Sequence, residues 1–143
     1  MRHLSCRMFA LAGALALPAV LLAAVPALAQ QAASPAGRWL AEDIFGGGVI
    51  DRLQSTLDIA ADGRTSGSGG CNRIGGKAMI EGSSISFGSL FSTRMACSPA
   101  VMTQEGKFLK ALGQTRSFRL DPRERKLYLL DAAGKVVVRL SAM

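Results

Sequence analysis

Downstream of residue 37, apolar and polar positions alternate in short runs separated by turn residues, and one stretch changes to a helical period. Arg38-Trp39-Leu40 opens this region, with Trp39, the sole tryptophan, as a core anchor near the first strand. Gly46-Gly47-Gly48 marks a mobile loop. From Gln54 to Ala60, Leu57 and Ile59 share a face, and Ala61-Asp62-Gly63-Arg64 is a hairpin signal. The return stretch, Thr65 to Gly70, holds only Ser, Thr and Gly, which points to close backbone approach or a bulge. Lys77 to Glu81 and Ser84 to Phe87 predict a second hairpin around Glu81-Gly82. After the helical stretch, Arg116 to Leu120, Lys126 to Asp131 and Val136 to Leu140 predict a meander, with turns at Asp121-Pro122-Arg123-Glu124 and Ala132-Ala133-Gly134.

The helical stretch runs over about 98–112. Ser98 suits an N-cap and Pro99 the first helical position. Val101, Met102, Phe108, Leu109 and Leu112 fall on one face, Gly113 fits the position just past the end, and Gly106 weakens the interior by roughly 1 kcal/mol relative to Ala. Strands followed by one helix and further strands predict a mainly β (α+β) domain, an antiparallel sheet with one packed helix.

The first thirty residues follow a different rule. Arg2 and Arg7 precede an apolar run from Met8 to Val25, which is broken by Gly13 and Pro18 and followed by Ala27-Leu28-Ala29 and Gln30. This is the order of a signal peptide over residues 1–29, cleaved between Ala29 and Gln30, rather than of a retained transmembrane anchor. Cys6 precedes the apolar run, so it cannot serve as a lipoprotein anchor after it. Residues 30–36 read as a flexible linker and 37–143 as the domain. The expected location is the periplasm or cell envelope, with no transmembrane anchor after cleavage.

Cleavage changes the chemistry available. It removes His3, the only histidine, together with Cys6, and it lowers the net charge from +7 to +5, since Arg2 and Arg7 leave with no acidic residue. Without histidine, Ser-His-Asp and Cys-His nucleophile systems and histidine-dependent zinc sites are excluded. The basic residues are dispersed and aromatics are few, so nucleic acid is not an expected partner, and a solvated basic face or an anionic envelope surface accounts for the charge.

Cys71 and Cys97 remain. In an oxidising compartment an even pair predicts a disulfide, worth about 3–4 kcal/mol for a ring of this length. A metal pair is the alternative, and two thiolates without histidine make a poor zinc site. Gly70 to Lys77, GCNRIGGK, lacks the Gly-Lys-Ser/Thr ending of a phosphate loop and reads as a glycine-rich turn around the bridge. Asn72, Arg73, Thr93 and Arg94 flank the two cysteines and are candidates for contact with an anion or partner. Glu105 lies on the helix face between Val101 and Leu109 and is the candidate buried acid, with Arg94 or Arg73 as its expected partner. Glu42 and Asp43 are adjacent and are expected on opposite faces of a strand. No catalytic, cofactor or metal residues are assigned.

Gly70-Cys71-Asn72-Arg73, Gly75-Gly76, Ile85-Ser86-Phe87-Gly88, Ser92 to Cys97 (STRMAC) and the Glu105 to Leu109 helix segment together resemble the META domain of the HslJ-like heat-shock proteins. Trp39-Leu40 and the Lys126 to Leu130 strand fit the same pattern, so the resemblance covers about residues 37–141. It implies a cracked, half-open barrel similar to that of type III secretion pilot proteins, and ties to heat stress, novobiocin resistance and envelope or secretion phenotypes. It implies no catalytic residues. The resulting expectation is a monomeric, non-enzymatic envelope stress or assembly module that binds a protein partner or an apolar or lipid ligand. The alternative is a carboxylate-dependent hydrolase or a protease-inhibitor-like domain. The signal-peptide reading predicts that intact-mass measurement of exported protein will find a chain starting at Gln30. A retained N-terminus, or one carrying a lipid, would contradict it.

Overall fold

The computed structural model describes residues 33–143; the signal-peptide segment, its cleavage site and the first linker residues lie outside the described residues. Nine strands and one helix follow in the order β1 (Gly37–Ile44), β2 (Thr56–Ile59), β3 (Arg64–Ser68), β4 (Arg73–Glu81), β5 (Ser84–Phe87), β6 (Phe91–Ser92), α1 (Pro99–Gln114), β7 (Ser117–Asp121), β8 (Lys126–Leu130) and β9 (Val136–Ala142). All pairings are antiparallel, in the sheet order β3-β2-β1-β9-β8-β7-β5-β4-β6. A further β3–β4 pairing bends this sheet into a ring. The expected mainly β, half-open barrel with one helix is the fold.

The ring is weakest between β5 and β7. Their one strand pair is Ser84 with Ser117, supported by Ile85 N–H to the Arg116 carbonyl at 3.1 Å and Phe118 N–H to the Ser83 carbonyl at 2.9 Å. Helix α1 packs on β5, β9 and β1. Its buried face is Gln104, Glu105, Phe108, Ala111 and Leu112. Phe108 and Leu112 join Leu57, Ile85, Leu127, Leu129, Val138 and Leu140 in a fully buried core. Each such side chain contributes roughly 1.5–3 kcal/mol by leaving water.

Three local expectations are corrected. The helix face is rotated from the predicted one: Met102 points to solvent, because the polar pair Gln104-Glu105 faces inward instead. The helix also runs past Gly113 to Gln114, and it ends where the extended Thr115 donates its N–H to the Leu112 carbonyl and its hydroxyl to the Ala111 carbonyl. Finally, the Arg73 to Gly76 part of GCNRIGGK is strand, not turn. Gly75 is paired with both Ser66 and Phe91, and the Phe91 ring lies over it where a Cβ would stand. The aromatic ring supplies the cover that a side chain would otherwise give.

The domain begins before β1. Pro35, which the sequence places in the linker, is fully buried, and its carbonyl accepts the Trp39 indole N–H at 2.9 Å. The expected mobile loop at Gly46-Gly47-Gly48 is held at both ends, since the Asp43 carboxylate accepts the N–H of Gly46 at 2.8 Å and of Gly48 at 2.7 Å. A bulge between Ala41 and Asp43 shifts the register with β9 there. Neighbouring Glu42 engages Lys126 and Arg139, and its carboxyl lies below the ordinary range mainly through the Lys126 hydrogen bond.

Candidate functional site

Three chain segments meet at the first half of α1: Ser68 to Asn72, Thr93 to Cys97, and the stretch from Ile50 to Ser55. The bridge Cys71–Cys97 joins the first two, with Cα atoms 6.1 Å apart. The expected disulfide is therefore present, placing the helix start against the mouth of β4. Ser98 takes the N-cap position with Pro99 following, but its side chain makes no capping bond.

Glu105 is 4% exposed and forms no ion pair among the described residues. One carboxylate oxygen, Oε2, accepts the backbone N–H of Cys71 at 3.0 Å and of Asn72 at 2.6 Å. The other, Oε1, accepts the Asn72 side-chain amide at 2.7 Å. Burial pushes the Glu105 carboxyl up, and the hydrogen bonds from Asn72 and Cys71 outweigh it, leaving the group below its ordinary value of 4.5. The expected pairing with Arg94 or Arg73 is overturned: both guanidiniums stay exposed at the surface, and neutral N–H donors stabilise the buried anion. Gly69 is part of this arrangement, because a Cβ there would stand 2.5 Å from Glu105 Cγ.

Asn72 carries the bonding onward. Its Nδ2 donates to Glu105 and to the Met95 carbonyl at 3.2 Å, while its Oδ1 accepts the Thr93 hydroxyl at 2.9 Å and the Met95 N–H at 2.6 Å. All four side-chain bonding positions of the amide are taken. The reverse orientation would aim its oxygen at the carboxylate. Thr93 Oγ1 in turn accepts the Arg73 N–H at 3.1 Å. Of the four candidate contact residues, Asn72 and Thr93 are thus committed to holding the two loops, and Arg73 and Arg94 project outward.

Gln104, which sequence reasoning passed over, makes the parallel connection. It accepts the Ile50 N–H at 2.6 Å and donates to Ser55 Oγ at 3.1 Å, and Ser55 donates to the Gly69 carbonyl at 2.8 Å. The available signal was its place beside Glu105, which puts two long polar side chains on the face that also carries Phe108 and Leu112.

Above this clamp lies an open hollow of about 650 Å³, bounded by Leu90 to Ala96 and by Met102 and Glu105. Phe91 is 65% exposed, Met95 59% and Met102 37%. Arg94 stands on its rim. Among the described residues, Arg73 and Arg94 form no ion pair. No group of three or more metal-ligating side chains occurs among the described residues, and no helix there is long and apolar enough to cross a membrane.

The lowered Glu105 carboxyl predicts an acid-sensitive clamp. The unfolded chain binds this proton more readily than the native one, so the stabilisation is present above pH 4.5 and is lost as pH falls through the lower native value. Glu105→Gln turns a second N–H donor toward the Asn72 amide and is expected to cost about 1–3 kcal/mol at pH 7. The gap between the two proteins should then close as pH drops below 4.5, read from urea midpoints across pH 3–7. Parallel pH profiles would contradict this.

Comparison with known proteins follows the same lines as the geometry. The META domain family model matches residues 31–143. No curated protein sequence matches the chain. Two solution structures share the fold. One, an NMR structure of a protein from Burkholderia xenovorans, is 24% identical with a TM-score of 0.62, covering 75% of this chain and 81% of its own. The other, also an NMR structure, is 21% identical with a TM-score of 0.55, covering 74% and 88% respectively. A family match spanning the whole described region, on a ringed antiparallel sheet with one helix, establishes that the chain belongs to the META domain family.

Proposed function

We propose that this protein is an exported, non-enzymatic module of the cell envelope, of the stress-response or assembly type, that binds a protein partner as a monomer. The observation that carries the reading is the hollow beside α1, with Phe91 on β6, Met95 on the following loop and Met102 on α1 exposed around it, and with the disulfide and the Asn72–Glu105 bonds holding that loop in place. Aromatic and methionine side chains beside arginine are the composition of an interface centre, and a rigid support lowers the entropy lost on binding. The barrel interior is filled by fully buried Leu, Val, Ile and Phe side chains, which favours a surface site over an apolar ligand in the lumen. Most carboxylates that a hydrolase would use are engaged elsewhere, while Asp51, Glu81 and Glu124 lie exposed at turns and strand ends. Glu42 pairs with Lys126, Asp58 with Arg38 and Asp62 with Arg64, while Asp43, Asp121 and Asp131 accept turn N–H groups.

A photo-crosslinking side chain at Met95, in protein exposed to envelope extract with and without heat stress, is expected to capture a defined partner. The same probe at Met79, which is 73% exposed on β4, should not, and Phe91→Ser should abolish capture at Met95. Equal capture at both positions would contradict the reading. So would turnover of an ester or peptide substrate that is lost with a single carboxylate substitution.

A further inference from the structure

The hollow borders an unfinished sheet edge. Strand β6 pairs with β4 through Ile74–Ser92 and Gly75–Phe91, and it ends the strand order of the sheet. The Thr93 N–H donates to the Arg73 carbonyl at 3.0 Å, so it faces β4, and the Thr93 carbonyl accepts the Ser92 hydroxyl at 3.0 Å. Alternation along an extended chain turns the N–H and C=O of Ser92 the other way, toward the hollow. No strand among the described residues pairs with that side of β6.

At two residues β6 is a short template, and the other devices that blunt a free edge are lysine, proline or an inward-pointing charge. This one carries Phe91 and Ser92, followed by the exposed Met95, and it is braced from behind by the Asn72 amide. The charge beside it has one sign. Arg73 and Arg94 lack ion-pair partners among the described residues, and the one carboxylate bordering the hollow, Glu105, is buried and fully hydrogen-bonded.

We propose that the partner is engaged through an extended, acidic segment that adds a strand to the free edge of β6, its carboxylates meeting Arg94 and Arg73 and its apolar side chains meeting Phe91, Met95 and Met102. This rests on the docking surface proposed above and specifies its occupant. Backbone bonds to Ser92 supply affinity and register, and the alternating side chains and the two guanidiniums supply selectivity. A basic segment is repelled at the same edge.

The test uses isotope-labelled protein purified from the envelope and two eight-residue peptides, one alternating Glu with Val and the other Lys with Val. The acidic peptide is expected to slow hydrogen exchange at the Ser92 amide and to shift the Met95 and Met102 methyl signals. Arg73→Glu with Arg94→Glu should weaken it by about tenfold or more, with a matching loss as salt is raised. The Lys peptide should do neither. Equal binding of both peptides, or no binding of the acidic one, overturns the proposal. Methyl shifts without protection of Ser92 overturn strand addition but leave the docking surface in place. Failure of selective crosslinking at Met95 removes the surface itself. Protection at Leu120, whose N–H faces the unpaired side of β7, in place of Ser92 would show general edge association and equally overturn the assignment.

Discussion

A carboxylate buried without a cation dictates much of this molecule. Taking Glu105 out of water is costly unless its oxygens are met by donors. The chain meets them with two consecutive backbone N–H groups and one side-chain amide. That solution constrains what surrounds it. Residues 71 and 72 must turn both N–H groups toward the helix, position 69 must have no side chain, and residue 72 must present a donor to the acid while keeping an acceptor for Met95. Asparagine satisfies the last condition where aspartate would set two carboxylates against each other. One helical residue thereby fixes two loops that lie far apart in the chain.

The clamp sits where the barrel is least able to hold itself. The β5–β7 seam has a single strand pair, and β6 is two residues long on a partner strand containing Gly75 and Gly76. Helix α1 serves both ends of this weakness. Its second half fills the interior with Phe108, Ala111 and Leu112, and its first half anchors the loops through Gln104 and Glu105. The disulfide adds a covalent tie at the helix start, worth about 3–4 kcal/mol for a ring of this length. What remains uncovered is the outer side of β6 and the hollow beside it, where no strand among the described residues pairs.

Much of the fold was legible because it follows simple periods. Leu57 and Ile59, Ile85 and Phe87, and Leu127 and Leu129 alternate as strands with one face buried, and Ser98-Pro99 marks the helix start within one residue. The burial of Glu105 was readable from its place on the helix. Its partners were not, because charge complementarity points to Arg73 and Arg94, whereas the structure uses peptide N–H groups, which every residue but proline carries and no sequence pattern distinguishes. Strand β6 was hidden for a related reason: a two-residue strand is defined by what it pairs with, and its partner is glycine-rich. Gly113 resembled a helix stop, yet the helix ends one residue beyond it, where the extended Thr115 bonds back to Ala111 and Leu112.

The coupling between Asn72 and Glu105 is the claim on which the site stands. A double-mutant cycle with Asn72→Ala, Glu105→Ala and the double variant, measured by urea unfolding at pH 7, tests it most directly. A shared bonding unit predicts single losses that fail to add, with a coupling of about 1–3 kcal/mol. Losses that add to within about 0.5 kcal/mol would show that the two residues act independently, and the clamp would not exist as a unit.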